Sequence, residues 1–481
     1  MPTRERSGWM KAHPIPALSS LCPPGRFKFR KTGHNPRQLL QNFAHFFMMD
    51  WPNNKRYFMK NLLRRKIAFL SIALLVLALF ACQHKISQIP QVSALPQNQA
   101  RWVDAPYVVL VSIDGMRHDY LERYQATHLL ELKKNGLSAP AFIPVFPSLT
   151  FPNHYSIITG LYPVNHRLIS NDFYDRTTEE RYQISDRSKV LNGKWYDGVP
   201  LWLLANRQGM LSASYFWVGS DANIHGEFPN YYKIYDTKVP HDTRVAQILE
   251  WLRLPKEQRP HFLTLYYSAV DSAGHEFGPE SEEVRQAVLE VDRSIGELMQ
   301  GLEQGGLNPN LIVVSDHGMQ KIEEKKVVRF PKELLTKEYI ITGRGAFSMI
   351  YTKSPEKTEE ALRLLKQIPH LKAYKRQETP KAWHMDSALA GDVIILADQG
   401  AYLTQDTDKK KSTGGTHGYD PAKVKNMSGI FLARGPQIKS GVVDAFPNIN
   451  LYPFVAAILG LELTEKIDGD VNMLKSYLIK K

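Results

Sequence analysis

Three short apolar runs, each passing directly into acidic or histidine residues, constrain this 481-residue chain more than any other feature. Tyr107–Ile113 runs into Asp114-Gly115, Phe262–Ser268 leads to Asp271 and His275, and Leu311–Val314 leads to Ser315-Asp316-His317. Continuous apolar runs of this length suit strands covered on both faces. The segment Glu282–Leu302 places Val284, Val288, Val291, Ile295 and Leu298 on one stripe and suits a covering helix. The expected fold is α/β, a doubly wound and mostly parallel sheet. In such sheets the residues just past the carboxyl ends of the strands gather at the edge where ligands bind. One strand-end Asp is ordinarily a turn or cap residue. Asp and His recurring at three strand ends instead suggest metal ligands, and carboxylate oxygen with imidazole nitrogen suits zinc.

The formal charge of +13 suggests a nucleic-acid binder until it is located. Residues 1–81 hold 14 of the 61 Lys and Arg but 2 of the 48 Asp and Glu, leaving 47 against 46 over the rest. A nucleic-acid binder concentrates basic charge on its folded domain, so no nucleic-acid groove is expected. From Met59 a basic stretch precedes an uncharged apolar run, Ile67–Ala81, of signal-peptide length and short for a membrane span. Leu79-Phe80-Ala81-Cys82 resembles a bacterial lipoprotein signal, with Cys82 as the lipidated residue. The expected product is exported, periplasmic or on the cell surface, and membrane-attached through its N-terminal signal or lipid. Residues 1–58 read as an over-extended start, 59–81 as a signal peptide, 82–103 as a tether rich in Gln, Pro, Ser and Ala, and 104–481 as the catalytic domain. Many aromatics and turns between about 173 and 260 read as an insertion or lid beside the site.

The segment Pro147-Ser148-Leu149-Thr150-Phe151-Pro152-Asn153-His154-Tyr155-Ser156-Ile157-Ile158-Thr159-Gly160 resembles the nucleophile segment of the nucleotide pyrophosphatases/phosphodiesterases, within the alkaline phosphatase superfamily. Asp114-Gly115, Asp271-Ser272-Ala273-Gly274-His275, Ser315-Asp316-His317-Gly318 and Thr416-His417-Gly418-Tyr419 follow in that family's order. The resemblance spans about Pro106 to Gly469 and implies an alkaline-phosphatase-like fold with two zinc ions. One ion would be held by Asp271, His275 and His417, the other by Asp114, Thr150, Asp316 and His317. Thr150 would be the nucleophile, forming a covalent nucleotidyl-threonine. Asn171 would donate a hydrogen bond to a phosphoryl oxygen, with the Phe151 backbone N–H as second donor. A neutral amide favours a diester over a dianionic monoester, which an arginine clamp would serve better.

By the same resemblance Phe151 and Tyr235 form a slot for a nucleobase, while Phe216 and Trp217 read as core aromatics. The implied reaction hydrolyses nucleotide phosphodiester and phosphoanhydride bonds to nucleoside 5′-monophosphates, with a small-molecule substrate and the oligomeric state left open. Lysophospholipid or choline phosphodiesters, an alkaline phosphomonoesterase and an inactive surface binding protein are the alternatives. A sulfatase-type Cys/Ser-x-Pro-x-Arg motif does not fit, because no arginine follows Thr150 before Arg167. If translation starts at Met59, mass spectrometry of the natural product will find no peptide upstream of it; one such peptide refutes the assignment of residues 1–58.

Overall fold

The computed structural model describes residues 95–405 and 414–479, together with Met59, Leu62, Leu63 and Lys66, which are helical. Cys82, residues 1–58, most of the segment read as a signal and the first part of the expected tether lie outside the described residues.

The main-sheet strands are β1 (Val108–Ile113), β2 (Leu137–Ile143), β3 (Ser212–Tyr215), β4 (Tyr231–Lys233), β5 (Phe262–Tyr267), β6 (Asn310–Val314), β7 (Gly429–Arg434), β8 (Gly441–Val442) and β9 (Phe446–Pro447). They lie in the order β8-β2-β7-β6-β1-β5-β3-β4, with β9 also beside β2. All run the same way except β7, which is antiparallel to both neighbours. The mostly parallel, doubly wound sheet is as expected.

Alternation along β1 shows why both faces are apolar. Val108 and Leu110 enter one core with the helices Thr150–Thr159, Leu201–Arg207 and Leu451–Leu459. Val109, Val111 and Ile113 enter the other, under the helices Thr127–Asn135, His241–Leu252 and Glu282–Gln304. The last of these carries the predicted stripe: Val284, Val288, Val291, Ile295 and Leu298 are all buried. Its start is capped by Ser281, whose hydroxyl accepts from the Val284 N–H at 3.2 Å.

Register positions the functional edge. Ile113 pairs with Tyr267, and Ser112 with Val314, so β1, β5 and β6 end at one level. The residues that follow each strand are thereby delivered side by side.

Two expectations require correction. Residues 173–260 are not an insertion, because they supply β3 and β4 and the helices Leu201–Arg207 and His241–Leu252 to the main fold. Their short strands and many turns conceal this. The excursion from the sheet lies instead between β6 and β7, where Tyr339–Arg344, Phe347–Thr352, Val393–Ala397 and Leu371–Lys375 form a separate antiparallel sheet that covers a third core with Ile341, Ile350, Val393 and Ile395 and joins the first core through Phe347, Met349, Tyr351, Ile394 and Leu396. Likewise, the predicted tether is not loose to its end. Asn98 is 7% exposed, its amide donates to the carbonyls of Lys256 (3.1 Å) and Arg259 (2.8 Å), and its Oδ1 accepts from the Leu211 N–H (2.8 Å). Trp102 Nε1 donates to the Gln208 carbonyl at 2.7 Å. One well-placed amide fixes this segment, and composition does not register it.

Leaving buried backbone groups unpaired costs roughly 1–3 kcal/mol each. Asn98→Ala should therefore lower the free energy of unfolding by about 2–3 kcal/mol. The exposed neighbour variant Gln97→Ala should change it by less than about 0.5 kcal/mol. Chemical denaturation distinguishes these outcomes, and equal small effects would show that this segment is not part of the folded unit.

Candidate active site

The sheet edge and two loops bring together the residues that the sequence scatters over 300 positions. Asp114 follows β1, and the turn it occupies requires Gly115: its φ is +69°, and a Cβ there would stand 2.8 Å from Asp271 Cα. Asp271 and His275 sit one turn apart on the helix Ala269–Phe277. Asp316 and His317 follow β6. Thr150 opens the helix Thr150–Thr159. The loop before it is joined to the His417 loop by Ser148, whose hydroxyl donates to the Tyr419 carbonyl (2.7 Å) and accepts from the Gly418 N–H (3.2 Å).

Two clusters of ligand atoms result. His317 Nε2 is 3.1 Å from Thr150 Oγ1, 3.5 Å from Asp114 Oδ1 and 3.0 Å from Asp316 Oδ2. In the second, His417 Nε2 is 3.0 Å from His275 Nε2 and 3.7 Å from Asp271 Oδ1, while His275 Nε2 is 3.5 Å from Asp271 Oδ1. Ligand atoms about 2.0–2.2 Å from a tetrahedral ion stand about 3.3–3.6 Å apart. The stacked rings of His317 and His417, 3.6 Å between centroids, connect the clusters.

The electrostatics fit cations. Each metal-side histidine has its Nδ1 against a carbonyl oxygen: Gly318 for His317 (2.9 Å), Gly415 for His275 (3.0 Å) and Ser148 for His417 (2.9 Å). A carbonyl only accepts, so in a neutral ring the proton resides on Nδ1 and Nε2 presents a lone pair. Burial, with His317 and His275 beside it, holds His417 well below the ordinary range and hence neutral. Asp114 Oδ1, Asp271 Oδ1 and Asp316 Oδ2 are buried without a hydrogen-bond donor. Burial, then the charges of Asp316 and Asp271, push the Asp114 carboxyl well above its usual range. For Asp316 burial acts upward too, but His317 and His154 prevail and hold it well below. Carboxylate oxygens without donors and imidazole lone pairs facing one another form a donor set for divalent cations.

Comparison with known proteins agrees with this geometry. The family described as type I phosphodiesterase / nucleotide pyrophosphatase matches residues 108–420. The chain belongs to that family. Ectonucleotide pyrophosphatase/phosphodiesterase family member 3 of Rattus norvegicus is 35% identical over 398 residues, covering 79% of this chain and 45% of that protein. Venom phosphodiesterase of Naja atra is 35% identical over 373 residues, covering 75% of this chain and 45% of that protein. The chain thus spans less than half the length of these two relatives. Among solved structures, murine ectonucleotide pyrophosphatase/phosphodiesterase 5, an inactive threonine-to-alanine variant in complex with AMP, superimposes with a TM-score of 0.73 at 31% identity. That match covers 78% of this chain and 100% of the other.

Within this family fold, the structure brings together all seven residues read as ligands. Asn171 is hydrogen-bonded to the residue after Thr150, but one expectation fails: the Phe151 N–H donates to Asn171 Oδ1 at 3.0 Å and is no free second donor. The bond orients Asn171 so that Nδ2 is the available group. Phe151 and Tyr235 are half-buried in different cores; Phe151 contacts Tyr182 (6.4 Å between centroids) and Tyr235 contacts Tyr266 (5.9 Å). Phe216 and Trp217 are buried core aromatics, as expected.

Sequence reasoning missed two supporting residues. Tyr266 donates from its hydroxyl to Asp114 Oδ2 at 2.6 Å, leaving Oδ1 for the cluster. His154 Nδ1 is 3.0 Å from the Thr150 carbonyl and 3.2 Å from Asp316 Oδ2, and its Nε2 accepts from Ser112 Oγ at 2.8 Å. Signals existed for both. His154 is four residues after Thr150, on the same helix face, and Tyr266 is next to the end of β5, paired with Ser112 of the Asp114 strand. Outer partners of this kind are typically worth about 10–100-fold in metal affinity. Tyr266→Phe should accordingly weaken binding of an added divalent cation by about 10–100-fold in chelator competition. Unchanged affinity would mean that the hydroxyl does not orient Asp114.

Proposed function

We propose that the chain is a two-zinc hydrolase of nucleotide phosphodiester and phosphoanhydride bonds that releases nucleoside 5′-monophosphates. The observation that carries this reading is the single hydroxyl, Thr150 Oγ1, beside a cluster of buried carboxylate and imidazole donors with a second cluster adjoining it. Zinc ions held by Asp114, Asp316 and His317 with Thr150, and by Asp271, His275 and His417, would lower the pKa of a hydroxyl and offset charge on phosphoryl oxygens.

The residues then divide the work. Thr150 Oγ1 attacks phosphorus in line, a P–O bond to the leaving group breaks, and that oxygen departs with the electron pair. Water attacks the threonyl phosphoester from the vacated side, so one water is consumed and Thr150 is regenerated. Two inversions give retention at phosphorus. Asn171 Nδ2, oriented by the Phe151 N–H, donates to a non-bridging oxygen. Its amide is neutral, which suits a diester anion. Phe151 and Tyr235 are the rings assigned to the nucleobase, and stacking tolerates any base. The murine relative, an inactive threonine-to-alanine variant in complex with AMP, supports a threonine-dependent reaction on nucleotides. Cys82 is proposed as the lipid attachment point of an exported domain.

Removal of a nucleophile that acts with its surroundings as a unit costs on the order of 10⁴–10⁶ in turnover. Thr150→Ala should show such a loss on nitrophenyl thymidine 5′-monophosphate with folding unchanged, and Thr150→Ser should recover part of it. Asn171→Ala should lower kcat by about 10²–10³. Full turnover by Thr150→Ala ends the covalent mechanism. Faster release of phosphate from nitrophenyl phosphate than of nitrophenol from the diester would make the protein a monoesterase.

A further inference from the structure

The two clusters are not equivalent in their surroundings. Thr150 lies at one end of a row that continues through His317 and His417 to His275. The far end of that row opens into a cavity of about 640 Å³, whose lining includes His275, His417, Asn171, Arg181, Arg344 and Phe347. In an in-line displacement the leaving oxygen departs on the side opposite the nucleophile. With Thr150 at one cluster, the two-cation reading above puts the leaving oxygen at the other, whose His275 and His417 line the cavity. Phe151 and Tyr235, the rings assigned to the base, belong to other surfaces, packing on Tyr182 and Tyr266.

Two arginines of the described residues line the cavity, and they differ in their partners. Arg181 is neutralised by Asp172, which it meets through two bonds of 2.7 and 2.6 Å. Arg344 has no carboxylate partner among the described residues, and its side chain is exposed toward this space. Its position is nevertheless fixed. It occupies the tip of the hairpin joining Tyr339–Arg344 to Phe347–Thr352, between Gly343 (φ +77°) and Gly345 (φ +83°). Asp172 Oδ2 accepts from the Gly343 N–H at 2.9 Å, tying the tip to the residue after Asn171. Any Cβ on Gly345 would stand 2.7 Å from Thr416 Oγ1, so the tip packs directly against the His417 loop.

We propose that this cavity is the leaving-group pocket and that Arg344 selects leaving groups bearing phosphate, as in nucleoside triphosphates and dinucleotide polyphosphates. The inference rests on the phosphodiesterase reading above and assigns, within it, one residue that selects the leaving group. A guanidinium offers the forked donors that match phosphate oxygens. The volume lies within the range of about 300–1,000 Å³ that holds a whole drug-sized ligand, which accommodates a nucleoside phosphate as well as pyrophosphate. Apolar lining from Leu149, Ile184 and Phe347 suits the larger group.

The test compares substrates that differ only beyond the scissile bond: nitrophenyl adenosine 5′-monophosphate, ATP and diadenosine tetraphosphate. Loss of one charge-assisted contact changes affinity on the order of tenfold or more. Arg344→Ala should lower kcat/KM for ATP and for the tetraphosphate, relative to the nitrophenyl ester, by about tenfold or more, chiefly through KM. Arg344→Lys should restore part of the ratio. A ratio unchanged from wild type, or equal losses on all three substrates, overturns the assignment of Arg344. If wild-type protein fails to cleave the nitrophenyl ester, the reaction reading itself falls and the pocket assignment falls with it.

Discussion

Uncompensated negative charge and facing lone pairs at the end of the sheet are the constraint on which the rest of the structure depends. Asp114, Asp271 and Asp316 each turn a buried oxygen toward a shared space with no donor to meet it. Placing an unpaired carboxylate in such surroundings costs several kcal/mol even after relaxation. Protons relieve part of this, as the upward displacement of Asp114 shows, but a proton satisfies one oxygen where a divalent cation satisfies several. The fold is therefore complete only with positive charge at this edge, and cation binding contributes directly to the stability of the loops that converge there.

The sheet makes that convergence possible because β1, β5 and β6 are parallel, adjacent and in register. A one-residue slip in any of them would turn the strand's side chains to the other face and displace the acids beyond ligand reach. Tight spacing imposes its own demands. Gly115 is required where the Asp114 turn meets Asp271; Tyr266 takes up Asp114 Oδ2 and the Gly115 N–H takes up Asp316 Oδ1, while His154 stands 3.2 Å from Asp316 Oδ2. These supports act on orientation rather than on charge, which is why they reach the site from the body of the sheet and from the second turn of the nucleophile helix.

What the sequence discloses and what it conceals follow the same division. Buried parallel strands leave long apolar runs, and an amphipathic helix leaves a stripe, so β1, β5, β6 and Glu282–Gln304 were legible, along with the acids and histidines that end them. Short strands carry too little pattern: β3 and β4, of four and three residues, sit among aromatics and turns and read as an insertion, whereas the real excursion begins after β6. Asn98 fixes the chain through three hydrogen bonds that no composition reveals. The Phe151 N–H was expected to face substrate, yet it is consumed by Asn171, a pairing set by the approach of two loops 20 residues apart. Contacts across space, not along the chain, account for each of these differences.

The excursion after β6 gives the molecule a second function for its topology. The main sheet and the nucleophile helix hold Thr150 and the cluster around His317 rigidly, through strand ends and a helix start. His417 and Arg344 come instead from the stretch that contains the separate antiparallel sheet, which packs on the first core through Phe347, Met349 and Tyr351 and is tied to the sheet edge by bonds that include Ser148 to Tyr419 and Gly418, the Gly415 carbonyl to His275, and Asp172 to Gly343. In the reaction proposed above, the attacking side is built from strand ends and a helix start. The departing side is built from a hairpin tip that can change its side chain without disturbing the sheet. Such a division lets the hairpin alter which group leaves while the register of β1, β5 and β6 keeps the attack geometry fixed.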